Sequence, residues 1–447
     1  MTSDKARFYL ESSIPELLEL ERKEIFTKEE IKAITKKRSD FEHIVNARGS
    51  HPSDWARYAA YEINLENLRK KRVKRLGIKG TTHSGQRRIF FILDRGTKKF
   101  HGDVALWMQY LNFARGEKAH RKVNQILTDV LRMHPTRPEL WIYAARYAMD
   151  EADMTNARSY MQRGLRFRKS AKELWMEYAK LEMLYIGKIA ARRTILGLDV
   201  GKSSNIQGEV EDDPDADVIA LPKVTAEDID PTLNPDITSD DTALKNLTST
   251  LILTGAIPMA IFDQAMKQFN HSPTMAEQFF TLFAEFDRVP CVSSLLNRVV
   301  EALERESSST VQFPACYART PIVGVQVDSV EFPTALGQSL ERVKSSMQQR
   351  PHQKADLAER AMTWLLPLAR RDKLDPSLHV VISASLRQFL RPLNSVDGDS
   401  SGKLADFITR LLDASQFEDA KYLLTLGLKR NGSDERLLAI EASLPSR

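Results

Sequence analysis

The amino-acid sequence predicts an all-α protein built from stacked pairs of helices. Trp107, Trp141 and Trp175 are spaced 34 residues apart, and each opens a similar segment: WMQYLNFA, WIYAARYA and WMEYAKLE. Within each segment the apolar and small residues recur at helical spacing, which is typical of an amphipathic helix. A repeat of roughly 20 to 50 residues with this pattern indicates an array in which each helix pair buries its apolar face against its neighbours.

Other features of the sequence repeat in the same register. A second helix is predicted between successive tryptophans, as in HRKVNQILTDVLR and NARSYMQRGLRF. The S/T-x-x-E patterns at Thr136 and at Ser170 are those of capping boxes, which satisfy free backbone amides at a helix N-terminus. Large aromatic residues at helical spacing are expected to pack in the core of the repeats, and here they are Trp55, Tyr58, Trp107, Tyr110, Trp141, Trp175 and Tyr178.

The chain has 447 residues, more than one domain usually contains, and its composition changes along its length. Residues 200–245 hold 12 acidic and 3 basic residues with few aromatics, so this stretch cannot bury enough apolar surface to fold alone. We therefore expect an N-terminal helical block with the first repeat over residues 1–80 and further repeats over 81–200. An acidic disordered linker is expected over 201–245, and degenerate helical repeats over 246–447.

The C-terminal half continues the alternation of helices with weaker motifs. The segment GAIPMAIFDQAMKQF resembles the second helix of a repeat, and Phe279 or Phe280 takes the place of the tryptophan. Residues 305–334 contain three prolines and a Ser-rich run, which predict an irregular excursion. Helices are expected to resume near Gln338, with residues 394–402 forming a loop.

Two motifs resemble catalytic or metal sites but have the wrong spacing. The sequence GLDVGKS at residues 197–203 resembles a phosphate-binding loop, but it has three residues where four are required between the glycines. Asp213, Asp215 and Asp217 are spaced like calcium ligands, but Val218 stands where the calcium loop requires Gly. The 2 cysteines and 9 scattered histidines add no metal motif. We expect no enzyme activity, no cofactor or metal, and no small-molecule substrate.

The densest positive charge lies in LENLRKKRVKRL, residues 65–76. Leu65, Leu68, Val73 and Leu76 are expected to form a buried helix edge, so that the basic side chains project mostly together. Such a stripe can attract phosphates without sequence preference, can face an acidic protein, or can simply be solvated. The candidate contact residues for RNA or an acidic partner are Arg69, Lys70, Lys71, Arg72, Lys74 and Arg75.

A helical array also offers a concave groove for proteins, here over residues 107–197. The most apolar stretch, residues 247–262, is interrupted by Thr, Ser, Gly and Pro, so we expect no membrane-spanning helix. The first 26 residues mix acids and bases without the layout of a signal peptide, and we expect an intracellular protein.

Two patterns resemble known families. A Trp followed by Tyr three residues later and Glu seven residues later resembles the HAT, or half-a-TPR, repeat, and it occurs at Trp55, Tyr58 and Glu62 and at Trp175, Tyr178 and Glu182. Arrays of HAT repeats belong largely to RNA-processing assemblies. The block from EIFTKEEIKAITKKRSDFEHIVNAR to KRLGIKG, residues 24–80, is similar to the N-terminal signature of the U-three small nucleolar RNA-associated protein six family.

This resemblance implies a HAT/TPR-like helical-repeat solenoid in two lobes that acts as a non-enzymatic scaffold subunit of the UTP-B complex, within the small-subunit processome. The implied role is pre-rRNA processing and early 40S ribosome assembly in the nucleolus, through docking of proteins on the repeats. The implied partners are the β-propeller proteins of UTP-B. The resemblance also places U-three snoRNA and pre-rRNA within the same ribonucleoprotein assembly, with direct contact left open.

Three other interpretations of the helix pairs stay open. A HAT scaffold in mRNA splicing or 3′-end processing would lack the block at 24–80 and would purify with spliceosomal proteins. A TPR-type co-chaperone would bind acidic C-termini through Lys and Arg, whereas Glu62 and Glu182 follow the HAT pattern. A prenyltransferase α-subunit would repeat Trp-x-x-Arg, whereas Ala144 follows Trp141 at that spacing.

Overall fold

The computed structural model is all-α, and every regular element among the residues it describes is a helix. These residues are 2–11, 14–78, 83–195, 253–371, 375–393, 403–413, 416–430 and 435–443. The chain forms two compact units, Met1–Arg168 and Lys169–Arg447. The predicted fold class, an all-α helical-repeat solenoid, is confirmed.

Helices of the first unit pack mainly on their neighbours along the chain. They are α1 Thr2–Glu11, α2 Ile14–Arg22, α3 Lys28–Asn46, α4 Pro52–Leu76, α5 Ser84–Lys99, α6 Val104–Gly116, α7 His120–Met133, α8 Pro138–Asp150 and α9 Met154–Phe167. The helix pairs are α4 with α5, α6 with α7, and α8 with α9. Helices α1 and α2 both lie against α3, which itself packs on α4.

The second unit repeats this arrangement. Its helices are α10 Lys172–Ile195, α11 Ala256–Gln268, α12 Pro273–Ala284, α13 Val292–Ser307, α14 Gln312–Arg319, α15 Phe332–Gln349, α16 Lys354–Ala369, α17 Pro376–Leu393, α18 Lys403–Asp413, α19 Phe417–Arg430 and α20 Glu435–Ser443. The pairs run from α10 with α11 to α18 with α19, and α20 packs on both helices of the last pair. None of the helices in the described parts of the chain is long and apolar enough to cross a lipid bilayer.

The acidic stretch at 201–245 lies outside the described residues, as do the loop at 394–402 and the motifs at 197–203 and 213–218. In the sequence the acidic stretch stands between α10 and α11. These two helices pack on each other within the second unit. The prediction that GAIPMAIFDQAMKQF forms the second helix of a repeat is therefore confirmed. The division of the chain into four segments stays a prediction.

One hydrogen bond recurs with the tryptophan repeat. In each case the indole Nε1 donates to the backbone carbonyl six residues earlier, in the turn that precedes the helix. The three bonds, of 3.0, 2.9 and 2.9 Å, join Trp107 to His101, Trp141 to Pro135 and Trp175 to Lys169. The tryptophan thus fixes the turn that leads into its own helix, which explains why its position is repeated so regularly.

The predicted capping boxes make Thr136 and Ser170 the N-cap residues, so that the helices would begin at residues 137 and 171. Both helices begin one residue later, and the prediction of these capping boxes is wrong. Helix α8 starts at Pro138 with Arg137 as its N-cap, and α10 starts at Lys172. Proline has no N–H to leave unsatisfied and a fixed φ that suits the first helical position. The proline, rather than the threonine three residues before the glutamate, therefore sets the start of α8.

Residues 305–334 are more helical than predicted. They contain the whole of α14 and a short 3₁₀ turn at Thr320–Ile322, and α15 begins at Phe332 instead of near Gln338. Pro314 and Pro333 lie in the first turns of these helices, where the missing N–H has no intrahelical partner to lose. These two prolines therefore mark the beginnings of helices, whereas the number of prolines in this segment predicted irregular structure.

Candidate nucleic-acid and protein interface

The predicted basic stripe lies on α4, whose buried face is partly charged. Trp55 and Tyr58 begin this face, and Glu62, Glu66 and Arg69 continue it at spacings of three and four residues. Side chains at these spacings share one side of a helix. The second half of α4 is therefore held in the first unit by charged side chains, which need partners inside the protein.

The first such partner is Arg38 of α3. Its Nε and Nη2 donate to the two carboxylate oxygens of Glu62 at 2.7 and 2.8 Å, and both side chains are 2% exposed. Glu16 of α2 lies 3.9 Å from Nη1 of Arg38 and 3.4 Å from Nε of Arg88 on α5. Burial tends to lower the pKa of Arg38, but the carboxylate of Glu62 outweighs this and leaves the pKa raised. The bidentate pair fixes α3 against α4.

A second group centres on Glu42, also on α3. Its carboxylate accepts hydrogen bonds from Arg95 of α5 at 3.1 Å and from the hydroxyl of Tyr58 at 3.2 Å. The guanidinium of Arg95 lies 4.0 Å from the ring centre of Tyr9 and 5.1 Å from that of Trp55. Burial raises the pKa of Tyr58, so its hydroxyl remains a donor. This group connects α1, α3, α4 and α5.

Two of the six predicted contact residues belong to the same system of ion pairs. Arg69 is buried, and its Nε and Nη2 donate to the carboxylate of Glu66 at 2.7 and 2.6 Å. Arg72 donates to both carboxylate oxygens of Glu30 at 2.7 Å each, across to the first turn of α3. The hydrogen bonds from Arg72 lower the pKa of Glu30 to about 2. Both arginines hold the fold of the N-terminal block.

The other four predicted contact residues face outward. Lys70 is exposed and its Nζ lies 2.7 Å from the carboxylate of Glu117. Lys71, Lys74 and Arg75 are exposed, and within the described residues none of the three has a hydrogen-bond or ion-pair partner. The structure thus brings three free cations together at the C-terminal end of α4, half of the number predicted.

The predicted apolar edge of this helix is half correct. Leu65 and Val73 pack against a core cluster that contains Leu17 and Leu20, whereas Leu68 and Leu76 are 41% and 53% exposed. The prediction of a buried edge is therefore wrong for Leu68 and Leu76. The reason is that the paired guanidinium groups of the helix occupy part of the buried side in their place.

The predicted core aromatics lie mostly in the interior. Six are buried, and the seventh, Trp175, is partly buried; the six are Trp55, Tyr58, Trp107, Tyr110, Trp141 and Tyr178. Trp55 differs from the repeat tryptophans at 107, 141 and 175, because its buried Nε1 has no hydrogen-bond partner among the described residues. The first repeat therefore keeps the aromatic packing but lacks the hydrogen bond of the later repeats.

Each unit also has a concave groove. In the first unit, α4, α5 and α6 enclose about 640 Å³ beside Asn67, Met108 and Asn112. In the second unit a larger groove of about 1970 Å³ is lined by α10, α12, α16 and α18, each the first helix of its pair, and by the segment between α14 and α15. Neither groove is the one predicted over residues 107–197, since the first is lined by residues 63–117 and the second mostly by residues after 273. The predicted groove therefore stays a prediction.

The fold and these surfaces define a helical-repeat protein with an N-terminal block held together by buried ion pairs. The family described as "U3 small nucleolar RNA-associated protein 6" matches residues 10–92, from α1 to α5. The resemblance to this family, predicted from residues 24–80, is therefore confirmed.

Relatives of the same name match longer stretches of the chain. The protein "U3 small nucleolar RNA-associated protein 6" of Schizosaccharomyces pombe is 36% identical over 252 residues, which cover 54% of this chain and 52% of the relative. The "U3 small nucleolar RNA-associated protein 6 homolog" of Homo sapiens is 33% identical over 185 residues, covering 40% of this chain and 31% of the relative. The matched region thus spans about half the length of the yeast relative and less of the human one.

Proposed function

We propose that this protein is a non-enzymatic scaffold in ribosome biogenesis that acts within a U3 small nucleolar RNA-associated assembly. The observation that carries this proposal is the match at residues 10–92, since it coincides with the helices joined by buried ion pairs. The similarity therefore concerns a folded block with specific partners inside it, and not an isolated motif. Stacked helix pairs expose broad surfaces, which suits docking of other proteins.

The finer assignment follows the family resemblance. The protein is a subunit of the UTP-B complex in the small-subunit processome, located in the nucleolus, where it supports pre-rRNA processing. Its partners are the β-propeller proteins of that complex, docked on the helical repeats and grooves. The names of the yeast and human relatives, which associate them with U3 small nucleolar RNA, support this assignment.

Rapid depletion of the protein in its own cells tests the role in ribosome biogenesis. Loss of a scaffold for the small subunit should raise the amount of unprocessed pre-rRNA and lower the ratio of small-subunit to large-subunit rRNA. Re-expression of the full chain should restore both. An unchanged precursor level and subunit ratio after depletion would contradict the proposal.

We also propose that the three free cations of α4 contact the phosphate backbone of RNA. Lys71, Lys74 and Arg75 are exposed and lie on consecutive turns of one helix end, whereas Arg69 and Arg72 are committed to internal pairs. Each phosphate neutralised on single-stranded RNA contributes about 0.7 to the slope of log affinity against log salt. Replacing the three residues by Glu should therefore reduce that slope by about 2.

A filter-binding titration with a pre-rRNA fragment measures this slope. The charge-matched control replaces Lys118, Arg121 and Arg132 by Glu, because these residues are also exposed cations of the first unit without a partner in its described part. The control variant should keep the wild-type slope. Equal slopes for the wild type and the α4 variant would show that these cations do not contact RNA.

A further inference from the structure

Phe167, the last residue of α9, is a large apolar side chain on the surface of the first unit. It is 56% exposed, whereas Trp141, on which its ring stacks, is 2% exposed. The two ring centres lie 5.8 Å apart, and the ring planes differ by 20°. One face of the Phe167 ring therefore covers Trp141, and the exposed part of the ring is its opposite face and its edge.

Trp141 gives this exposed ring a fixed support. The indole Nε1 donates to the carbonyl of Pro135 at 2.9 Å. On the other side, Gly164 of α9 lies so close to the indole that an added Cβ would be 2.9 Å from Cγ of Trp141. Because the indole is held from both sides, the ring that stacks on it is preorganised. Such a surface binds another planar ring at a lower cost in conformational entropy than a mobile side chain does.

Positive charge lies on both sides of Phe167 in the sequence. Helix α9 and the residue after it contain four arginines and no acid. Arg166 and Arg168 are exposed, and neither forms an ion pair among the described residues. Nη1 of Arg168 donates to the carbonyl of Thr136 at 3.3 Å, which positions the guanidinium without neutralising its charge.

The side chains around this helix end do not cancel that charge. Arg163, one helical turn before Phe167, is exposed, and its guanidinium lies 5.7 Å from the ring centre of Trp141. Glu139 lies in the first turn of α8, the helix that pairs with α9, but it forms no ion pair with the arginines of α9. The exposed ring is therefore bordered by cations that are available to a ligand.

An exposed aromatic ring bordered by arginines matches single-stranded RNA. Each unpaired base offers a flat face that can stack on the ring, and each nucleotide carries a phosphate for a guanidinium. A duplex offers its phosphates alone, because its bases already stack on one another. An acidic protein segment could neutralise the arginines, but its carboxylates do not stack on an aromatic face. Single-stranded RNA is the partner that uses both features of the surface.

We propose that the C-terminal end of α9 binds single-stranded RNA, with one unpaired base stacked on Phe167 and the adjacent phosphates bound by Arg166 and Arg168. The inference rests on the proposed function within an RNA-containing assembly, and it adds a contact that is separate from the cations of α4. The two contacts also differ in what they recognise. The cations of α4 attract any phosphate backbone, whereas a stacking ring selects bases that are not paired.

Fluorescence anisotropy with the purified full chain and a labelled oligouridine tests this contact. Phe167→Leu keeps an apolar side chain over Trp141 but removes the flat ring, so it should weaken binding about 5-fold or more, as the loss of one stacked base does. The slope of log affinity against log salt should stay unchanged, because no charge is removed. Phe167→Tyr keeps the ring and should retain the wild-type affinity. Binding of a labelled RNA duplex should be the same for all three proteins.

The matched control is Phe417→Leu. Phe417 is 53% exposed at the start of α19, but the acidic residues Glu418 and Asp419 follow it and repel RNA. This variant should bind oligouridine as the wild type does. Equal affinities for the wild type and Phe167→Leu would overturn the inference, and so would an equal loss for Phe417→Leu. Either result would leave the proposed function intact, because that function depends on the pre-rRNA and subunit levels after depletion.

Ultraviolet cross-linking of the wild-type chain to the same oligouridine gives a second measurement that does not depend on the folding of a variant. A uracil stacked on an aromatic side chain can form a covalent adduct with it on irradiation. After digestion with a protease that does not cut at arginine, mass spectrometry should find a uridine adduct on the peptide that contains Phe167. Adducts on peptides of α4 with none on α9 would contradict the inference and would leave RNA contact by the α4 cations intact.

Discussion

Trp141 allows a quantitative test of the repeat core. Its side chain is 2% exposed, its Nε1 donates to the carbonyl of Pro135 at 2.9 Å, and its ring stacks on Phe167 with centres 5.8 Å apart. Trp141→Ala removes the ring from a packed site and leaves a cavity, which costs about 3 to 5 kcal/mol for a large aromatic. The lost hydrogen bond accounts for about 1 kcal/mol of this total.

Urea unfolding followed by far-ultraviolet circular dichroism measures this loss without relying on tryptophan fluorescence. Trp141→Phe keeps most of the buried ring but removes the N–H donor, so it should cost less, about 1 to 3 kcal/mol. Trp175→Ala is the matched control, because Trp175 makes the same hydrogen bond but is only partly buried. A loss well below 1 kcal/mol for Trp141→Ala, or an equal loss for Trp175→Ala, would refute the reasoning.

Three further predictions concern packing and charge. Gly164→Ala should cost about 1 to 2 kcal/mol in urea unfolding, because an added Cβ would lie 2.9 Å from Cγ of Trp141; a stabilised variant would contradict this close contact. Glu62→Gln leaves the buried Arg38 with only the more distant carboxylate of Glu16 and should cost about 3 kcal/mol, whereas replacing both Arg38 and Glu62 by apolar residues should cost far less. Since the pKa of Glu30 is lowered from 4.5 to about 2, its contribution to stability is complete above about pH 4.5 and lost towards pH 2. In a plot of thermal midpoint against pH, Glu30→Gln should flatten the curve between about pH 4.5 and pH 2. An unchanged curve would show that the ion pair of Glu30 with Arg72 does not contribute to stability.

The array of helix pairs could be predicted because its signal is periodic. The tryptophans recur every 34 residues because each makes the same contact within its own repeat. This contact is the hydrogen bond from the indole N–H to the carbonyl six residues earlier. Such local, repeated contacts leave a direct trace in the sequence. The exact starts of the helices were less predictable, because Pro138 and the S/T-x-x-E pattern at Thr136 compete for the same turn.

The candidate interface was harder to predict, because its partners are distant in the chain. Arg72 and Glu30 are 42 residues apart, and Lys70 and Glu117 are 47 apart, so the sequence shows six cations without the acids that neutralise half of them. Only the partner of Arg69 lies close in the sequence, since Glu66 stands three residues before it and could have indicated this ion pair.

Purification of the tagged protein from its own cells tests the central claim most directly. The bound proteins are identified by mass spectrometry and the bound RNA by sequencing, at low and at high salt. A scaffold docked through its helical repeats should retain the β-propeller proteins of UTP-B at high salt, while pre-rRNA held by electrostatic attraction is released. Recovery of spliceosomal proteins in place of ribosome-assembly proteins would contradict the account.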